Sequence, residues 1–368
     1  MTDGLAGQCQ VIGILGGGQL GRMLCMAAAR LGHGTVVLDP DPLAPAAQLA
    51  SSFINASFDD ADALVQLMAL VDVVTYEFEN VPVEAVLALS DRVLVAPAPT
   101  ALRKAQDRLA EKRFLNDIGV PTAPFLPLVA PAEVDRVVDQ LGGQAIVKTR
   151  RFGYDGKGQV RLAGPVGLDV ATRLFMDLGC DDPHASPDAL IAEGFVPFDG
   201  ELSVIGARDR DGRVVCFPPA RNVHREGILA TSTVPHGWGP EIEAEAIAHT
   251  TTLLHALDYV GVLGLEFFVV SGAGPRLLAN EFAPRVHNSG HWTEVACVVS
   301  QFEQHIRAVT GAPVVDPGFH SACEMRNLIG NDVELVPTLL SEPRTSVHLY
   351  GKAEVRAGRK MGHATRLL

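Results

Sequence analysis

The sequence contains no Cys-x-x-Cys pair. Its six cysteines, Cys9, Cys25, Cys180, Cys216, Cys297 and Cys323, are scattered through 368 residues. That spacing gives neither a zinc knuckle nor a disulfide framework, and it fits a reducing cytosol. Basic residues are in deficit: 30 Lys and Arg stand against 43 Asp and Glu, for a formal net charge of -13. Such a balance argues against a nucleic acid or an anionic membrane as partner. Local phosphate binding stays open, because a few cations and backbone amides suffice for it. No run of 18 apolar residues suggests a membrane span. The first ten residues lack the basic-then-apolar pattern of a signal peptide, so the expected location is the cytoplasm. What is there is globular in kind, 47% hydrophobic and 20% charged. A chain this long is expected to fold as two or three domains.

Residues 10–16 read as a buried strand. They lead into Gly16-Gly17-Gly18-Gln19-Leu20-Gly21, and a helix is expected over 24–31. A second strand is expected at 35–38, ending on Asp39. Glycines at 16, 18 and 21 with an acidic residue about 20 positions on match a dinucleotide fingerprint. The glycines themselves say only that backbone amides approach an anion, which a sugar phosphate would also satisfy. A strand at 71–76 delivers Glu77 just past its end, where ligands sit in open α/β sheets. A short strand at 93–96 precedes a basic helix expected over 101–118, stopped by Gly119 and Pro121.

The middle of the chain changes character. A strand at 145–148 ends on Lys148. The glycine-rich turn Gly153-Tyr154-Asp155-Gly156-Lys157-Gly158-Gln159 follows, then a strand at 160–162. Such a turn can fold over phosphates, with Lys157 as a point charge. A strand at 189–193 opens into Glu193-Gly194-Phe195-Val196, whose backbone edge suits an adenine. Glu201, at the start of the next strand, can accept ribose hydroxyls. Residues 177–189 read as a surface loop, and 241–257 as an amphipathic helix.

Residues 277–291, LLANEFAPRVHNSGH, form an apolar strand with more polar groups than core tolerates without partners. The matching strand LGLEFFVV precedes it across a Ser-Gly-Ala-Gly-Pro turn. A hairpin centred on residues 273–274 puts Glu266 directly opposite Glu281. Facing like charges destabilise a sheet. A cation is expected between them, and a magnesium ion carrying phosphates suits carboxylate ligands. A helix is expected over 293–310, with Val295, Val298, Val299, Phe302, Ile306 and Val309 as its one apolar stripe. The tail holds a strand near 346–350 and a basic loop with Lys352, Arg356, Arg359 and Lys360.

Four motifs, GGGQLGRM (16–23), GYDGKGQ (153–159), NEFAPRVHNSGHW (280–292) and KAEVRAGRKMGH (352–363), resemble those of the ATP-grasp enzymes. Within that superfamily, nearly the whole chain resembles the N5-carboxyaminoimidazole ribonucleotide synthetase family. The resemblance implies an α/β and α+β fold. It would have an N-terminal Rossmann-like parallel-sheet domain (1–103), a two-lobed ATP-grasp domain (104–312) and a small β-rich C-terminal domain (313–368). The glycine-rich lid lobe would span about 122–200. It implies an ATP site at Arg108, Lys148, residues 153–159, the Glu193–Val196 segment, Glu201, His224, Asn280 and Glu281. Glu266 and Glu281 would hold Mg²⁺, with Mn²⁺ as an alternative ion. Gln19, Leu20, Glu77, Asn288, Lys352, Arg359 and Lys360 would hold aminoimidazole ribonucleotide, the first glycine loop and the basic tail converging on its 5'-phosphate. Tyr154, Asp155, Arg285, His287 and Asn288 would surround bicarbonate, with Asp155 or His287 as base. A homodimer is implied, and a product passed to the N5-carboxyaminoimidazole ribonucleotide mutase. Arg221 and Asn222 receive no role.

Three rivals compete with this reading. The formate-dependent glycinamide ribonucleotide transformylases share the fold and the metal pair, but Tyr154-Asp155 and Asn288 stand against them. An NAD-dependent oxidoreductase rests on the first glycine loop and leaves everything after residue 100 unexplained. A non-catalytic nucleotide sensor would not need the intact carboxylate pair and its lysines.

Overall fold

The structure is a computed structural model and describes residues 9–153, 158–179, 190–272 and 276–368. The N-terminal part is a parallel five-stranded sheet. Its strands are β1 (Val11–Leu15), β2 (Gly34–Asp39), β3 (Ser52–Asn55), β4 (Val73–Tyr76) and β5 (Leu94–Val95), in the order β3-β2-β1-β4-β5. Its strands are short apolar runs because helices cover both faces of such a sheet. The order reverses between β1 and β4, and this is the switch point at which open α/β sheets bind ligands. Helix α1 (Gln19–Arg30) starts five residues earlier than the expected helix, directly on the glycine turn. Helices α2 (Ala61–Leu70) and α3 (Val83–Ser90) complete this layer.

The basic helix expected over 101–118 is two helices, α4 (Pro99–Ala105) and α5 (Arg108–Asp117). Asp107 breaks it. Its Oδ1 accepts from the amides of Leu109 at 3.0 Å and Ala110 at 3.1 Å, so the side chain caps a new helix instead of continuing the old one. The restart turns Arg108, Glu111 and Lys112, at spacing i, i+3, i+4, onto one face.

A four-stranded antiparallel sheet follows, in the order β6-β9-β7-β8. It comprises β6 (Phe125–Leu128), β7 (Gln144–Thr149), β8 (Gln159–Ala163) and β9 (Leu190–Gly194), with α6 (Val134–Gln140) and α7 (Leu168–Asp177) packed on it. The third sheet has nine strands. Its members are β10 (Gly200–Arg208), β11 (Val214–Cys216), β12 (Ala220–Arg225), β13 (Ile228–Val234), β14 (Gly261–Val269), β15 (Leu277–Ala283), β16 (Cys323–Ile329), β17 (Thr345–Leu349) and β18 (Lys360–Leu367). The order is β15-β14-β10-β12-β13-β16-β18-β17, with β11 on β10. The C-terminal strands therefore extend the same sheet through the β13–β16 pair. One apolar cluster spans Ile12 and Met23, Ile205 and Phe302, and Cys323 and Met325, so the N-terminal, central and C-terminal segments share core. Helix α8 (Pro240–Ala256) packs on the sheet.

The helix expected over 293–310 is also interrupted, into α9 (Thr293–Ala296) and α10 (Gln301–Thr310). Val298 and Val299 donate their amides to Gly318 and Pro317 instead of to a helix, and Val298 is exposed where the stripe placed it in the core. Ser300 then caps α10 through its Oγ. The short helix α11 (Val336–Ser341) precedes β17. Among the described residues no helix is long and apolar enough to cross a membrane.

Candidate active site

A cleft of about 440 Å³ lies between the four-stranded and nine-stranded sheets, open to the C-terminal end of β1. Its floor is the β14–β15 hairpin. Glu266 pairs directly with Glu281 in the strand register, and a β-bulge follows at once, leaving Asn280 as the extra residue. A bulge re-aims side chains, and Asn280 and Glu281 both line the cleft.

The two carboxylates differ sharply. Glu266 is pushed up to about 7, first by burial and then by the charge of Glu281. Burial also raises Glu281, but Arg108 outweighs it and holds the group at about 2. Arg108 Nη1 donates to Glu281 at 2.7 Å, and its Nη2 to the Gly153 carbonyl at 3.1 Å. Opposite, on β7 and β9, the ammonium of Lys148 reaches Glu193 Oε2 at 3.0 Å and that of Lys112 the same oxygen at 3.2 Å. Burial pushes Lys148 down from its ordinary value, while the two ammonium groups outweigh burial at Glu193 and hold it low. Glu193 Oε1 is buried with no hydrogen-bond partner among the described residues.

On the far wall, His224 Nδ1 meets Glu201 Oε2 at 2.8 Å. Burial lowers His224, and the bond to Glu201 with the charge of Glu266 more than reverses that. The β12–β13 pair carries a bulge beside His224. Phe198 and Phe268 stack at 4.7 Å on this side. The amides of Gly194 and Phe195 are already bonded to the Pro124 and Gln144 carbonyls, at 2.7 and 3.1 Å. An adenine slot here would therefore fall to the edge beyond them, at Val196, which lines the cleft.

The other end holds Arg285, His287, Asn288 and Lys360. Arg285 is ion-paired with Glu79. Burial raises Glu79, but the Arg285 charge outweighs it and keeps the carboxylate below its usual range. His287 is held at about 3 by burial and then by Arg285, so its imidazole is neutral. Its Nδ1 lies 2.8 Å from Ser289 Oγ, and its Nε2 3.5 Å from Glu266 Oε1. Asn288 and Asn327 exchange amide hydrogen bonds at 2.9 and 2.8 Å.

The first glycine turn is occupied from within. Gly17 N donates to Asp39 at 2.6 Å, and Gly18 N and Gly21 N donate to the two oxygens of Glu77, each at 3.0 Å. Glu77 is buried under the turn rather than on the cleft wall, and burial raises its pKa. A dinucleotide pyrophosphate placed on these amides would meet two carboxylates instead of free donors. A phosphate at this end would rely instead on Gln19, Leu20 and Lys360, which line the cleft. Lys352 Nζ donates to the Lys360 carbonyl at 2.7 Å, and Arg359 Nη1 to the Glu354 carbonyl at 3.2 Å; neither lines the cleft. Gly153 and Gln159 line it, and Gly158 closes β7 through its carbonyl to Thr149 N. Tyr154, Asp155, Gly156 and Lys157, and most of the expected surface loop at 177–189, lie outside the described residues.

Sequence reasoning passed over Glu79, Glu111, Lys112 and Arg150. Glu111 is 2% exposed, accepts from Phe282 N at 2.7 Å, and is pushed up to about 8 by burial and then by Glu281. The i, i+3, i+4 spacing of Arg108, Glu111 and Lys112 was the available signal. It was lost in the expectation of one long basic helix. Arg150 holds Asp107 with two bonds, at 3.1 and 2.7 Å, and so secures the helix restart. Arg221 packs over the Trp238 ring at 5.1 Å, and Asn222 accepts from Ser232 Oγ at 2.8 Å, so both serve the sheet.

A nucleotide-sized cleft between two antiparallel sheets, with paired carboxylates on one and, facing them, Lys148 on the other and Lys112 on α5, defines an ATP-grasp enzyme. Family comparisons agree. Residues 113–302 match the ATP-grasp domain, 9–106 the ribonucleotide synthetase preATP-grasp domain, and 323–368 the phosphoribosylaminoimidazole carboxylase C-terminal domain. The chain is 55% identical to the N5-carboxyaminoimidazole ribonucleotide synthase of Brucella melitensis, over 97% of this chain and 96% of that protein. It is 44% identical to the Pseudomonas aeruginosa enzyme, over 96% and 93%. The solved Thermus thermophilus synthetase superposes with a TM-score of 0.87 at 43% identity, covering 97% of this chain and 93% of that one. The Aspergillus clavatus enzyme, in complex with ADP and 5-aminoimidazole ribonucleotide, gives 0.87 at 31%, covering 98% and 94%. The chain belongs to the N5-carboxyaminoimidazole ribonucleotide synthase family.

Proposed function

We propose that this chain carboxylates the exocyclic amine of 5-aminoimidazole ribonucleotide, using ATP and bicarbonate, in purine biosynthesis. The observation that carries the reading is the in-register pair Glu266 and Glu281 facing buried cations across a nucleotide-sized cleft. Three solved structures of two relatives support it: the Staphylococcus aureus enzyme with ADP, and the Aspergillus clavatus enzyme with ATP and with ADP and 5-aminoimidazole ribonucleotide.

In this reading a bicarbonate oxygen attacks the γ-phosphorus of ATP, and ADP leaves. The resulting carboxyphosphate is attacked at carbon by the amine, and inorganic phosphate leaves as the amine loses a proton. Phosphoryl transfer depends chiefly on positioning and on neutralising charge. Lys148, Arg108 and Arg285 supply fixed positive charge around the transferred group. Glu201 and the Glu193–Val196 segment take the nucleoside, beside His224 and the Phe198–Phe268 stack. Asp155 or His287 would take the amine proton. Nδ1 of the neutral His287 accepts from the Ser289 amide at 3.4 Å, so its ring proton sits at Nε2 and can be donated there, which favours Asp155 as the base. Gln19, Leu20, Asn288 and Lys360 take the ribonucleotide, with Lys352, Arg359 and Glu77 supporting that end. Exclusion of water from the cleft once the ligands are bound would protect a water-labile intermediate.

The donors present fit Mg²⁺. Two carboxylates face each other in register, and the buried Oδ1 of Asn280 beside them has no hydrogen-bond partner among the described residues. Glu266 and Glu281 would hold the ion, and when bound it would screen the phosphate oxygens and offset the repulsion between the two glutamates. A homodimer, a cytoplasmic location and delivery of product to a mutase are proposed on the family resemblance.

The test is ADP release with bicarbonate, with and without aminoimidazole ribonucleotide. The expected result is turnover that requires bicarbonate and rises with the ribonucleotide. Turnover with formate in place of bicarbonate would overturn it.

A further inference from the structure

Behind the cleft wall lies a second group of ligand-bearing side chains that the reaction above does not use. His348 on β17 and His363 on β18 are direct cross-strand partners, and their rings stack at 5.2 Å with an interplanar angle of 21°. Glu294, from the first turn of α9, reaches over them. Its Oε2 lies 3.4 Å from His348 Nδ1 and 3.9 Å from His363 Nε2. All three ligand atoms fall within 4.8 Å of one another. None of the three residues lines the cleft.

We propose that Glu294, His348 and His363 form a binding site for a borderline divalent transition-metal ion, of which zinc is the type. Two imidazoles and one carboxylate are a donor set for zinc-like ions and a poor one for Mg²⁺ or Ca²⁺, which take oxygen ligands. The size fits. Ligand atoms about 2.0–2.1 Å from a tetrahedral ion stand roughly 3.3 Å apart. The two Glu294 separations, 3.4 and 3.9 Å, are close to that spacing, and the two histidine nitrogens have to close from within 4.8 Å by rotamer adjustment.

The surroundings prepare the ligands. Tyr350 Oη lies 2.9 Å from His363 Nδ1. With the proton on Nδ1 the phenol oxygen accepts it, and the Nε2 lone pair is turned to Glu294. A metal-bound histidine usually has its other ring nitrogen held this way. Burial and the neighbouring His348 keep His363 at about 3, so it is a neutral ligand at physiological pH. The Glu294 and His348 side chains are 23% and 16% exposed, which leaves an entry path and a fourth position for water. His291, whose ring lies 4.8 Å from that of His363, has a buried Nε2 with no partner among the described residues, so the pocket is polar on its inner side too. The cluster is linked to the cleft: His363 is the cross-strand partner of Asn327, which is amide-paired with Asn288.

The experiment is titration of the chelator-treated full chain with zinc chloride, followed by calorimetry and by metal analysis after desalting. It is run in a Glu281→Gln background, so that the cleft carboxylates do not compete. The expected result is one equivalent of zinc at micromolar Kd or tighter, a raised thermal midpoint on loading, and four-coordinate absorption with Co²⁺. His348→Ala and Glu294→Gln should each weaken binding at least tenfold, and Tyr350→Phe about tenfold. The metal-free melting curve of each variant reports folding; if His348→Ala fails to fold, Glu294→Gln decides. No zinc bound in the Glu281→Gln background, or an unchanged Kd in Glu294→Gln, overturns the proposal.

Discussion

Glu77, just past the end of β4, and Glu281, two residues before the end of β15, keep opposite company. Glu77 meets backbone. Both its oxygens accept amides of the glycine turn, and burial lifts its pKa. Glu281 meets a guanidinium 2.7 Å away and is held at about 2. The first carboxylate completes the start of a helix, and the second stays charged and faces a cleft. A strand-end glutamate has no role by virtue of its position; the groups facing it decide.

The comparison breaks most visibly at Glu281. Glu281→Gln should lower ADP formation at least about 10³-fold, on the order of 4 kcal/mol of barrier. Its melting temperature should stay close to that of the parent. Glu77→Ala should act first on stability, leaving two amides without acceptors and costing about 2–4 kcal/mol in urea unfolding. Full stability in Glu77→Ala would show that the bonds from Gly18 and Gly21 to Glu77 do not hold the turn.

Glu111 sharpens the same contrast, as a buried cleft carboxylate with a raised pKa of about 8. Between the ordinary carboxylate range and pH 8 the folded chain binds more protons at this group than the unfolded chain does. Stability from Glu111 is thus fully present at low pH and is lost as pH rises toward 8. Glu111→Gln keeps the acceptor for Phe282 N and should flatten the fall in unfolding free energy between pH 5 and 8, by on the order of 2 kcal/mol. A parallel pH profile in both proteins would remove the assignment. The smallest effect is expected at Gly18, where an added Cβ would lie 2.7 Å from Glu77 Oε1. Gly18→Ala should cost about 1–2 kcal/mol in a thermal melt and should be largely relieved in the Glu77→Ala background.

Much of the site was legible in the residues. The Glu266–Glu281 register followed from alternation and one turn signal, and the structure pairs those two residues. The strand-end lysine at 148 and the segment opening at Glu193 also line the cleft. What misled were the places where a side chain overrules a local pattern. Asp107 broke a helix whose periodicity ran on, and its partner Arg150 is 43 residues away. Val298 continued an apolar stripe, yet its amide found a carbonyl at Gly318. Neither partner can be recognised from a window of a dozen residues.

The bulges make the same point within the sheet. Register shifts fall beside His224, Glu281 and Lys360, and all three residues line the cleft. A bulge adds one residue to one strand and turns its neighbours, and nothing in strand alternation announces it.

By itself the sequence determined the strand, glycine turn and helix that open the chain, the carboxylate strand pair, the acidic balance and the family motifs, because periodicity, turn chemistry and motif spacing are local. Only the tertiary structure decided which carboxylate is charged, which glycine amides are already satisfied, and that Glu294 stands over two histidines more than fifty residues away. Burial, distance and the identity of the facing group set those outcomes, and they exist only once the sheets have packed.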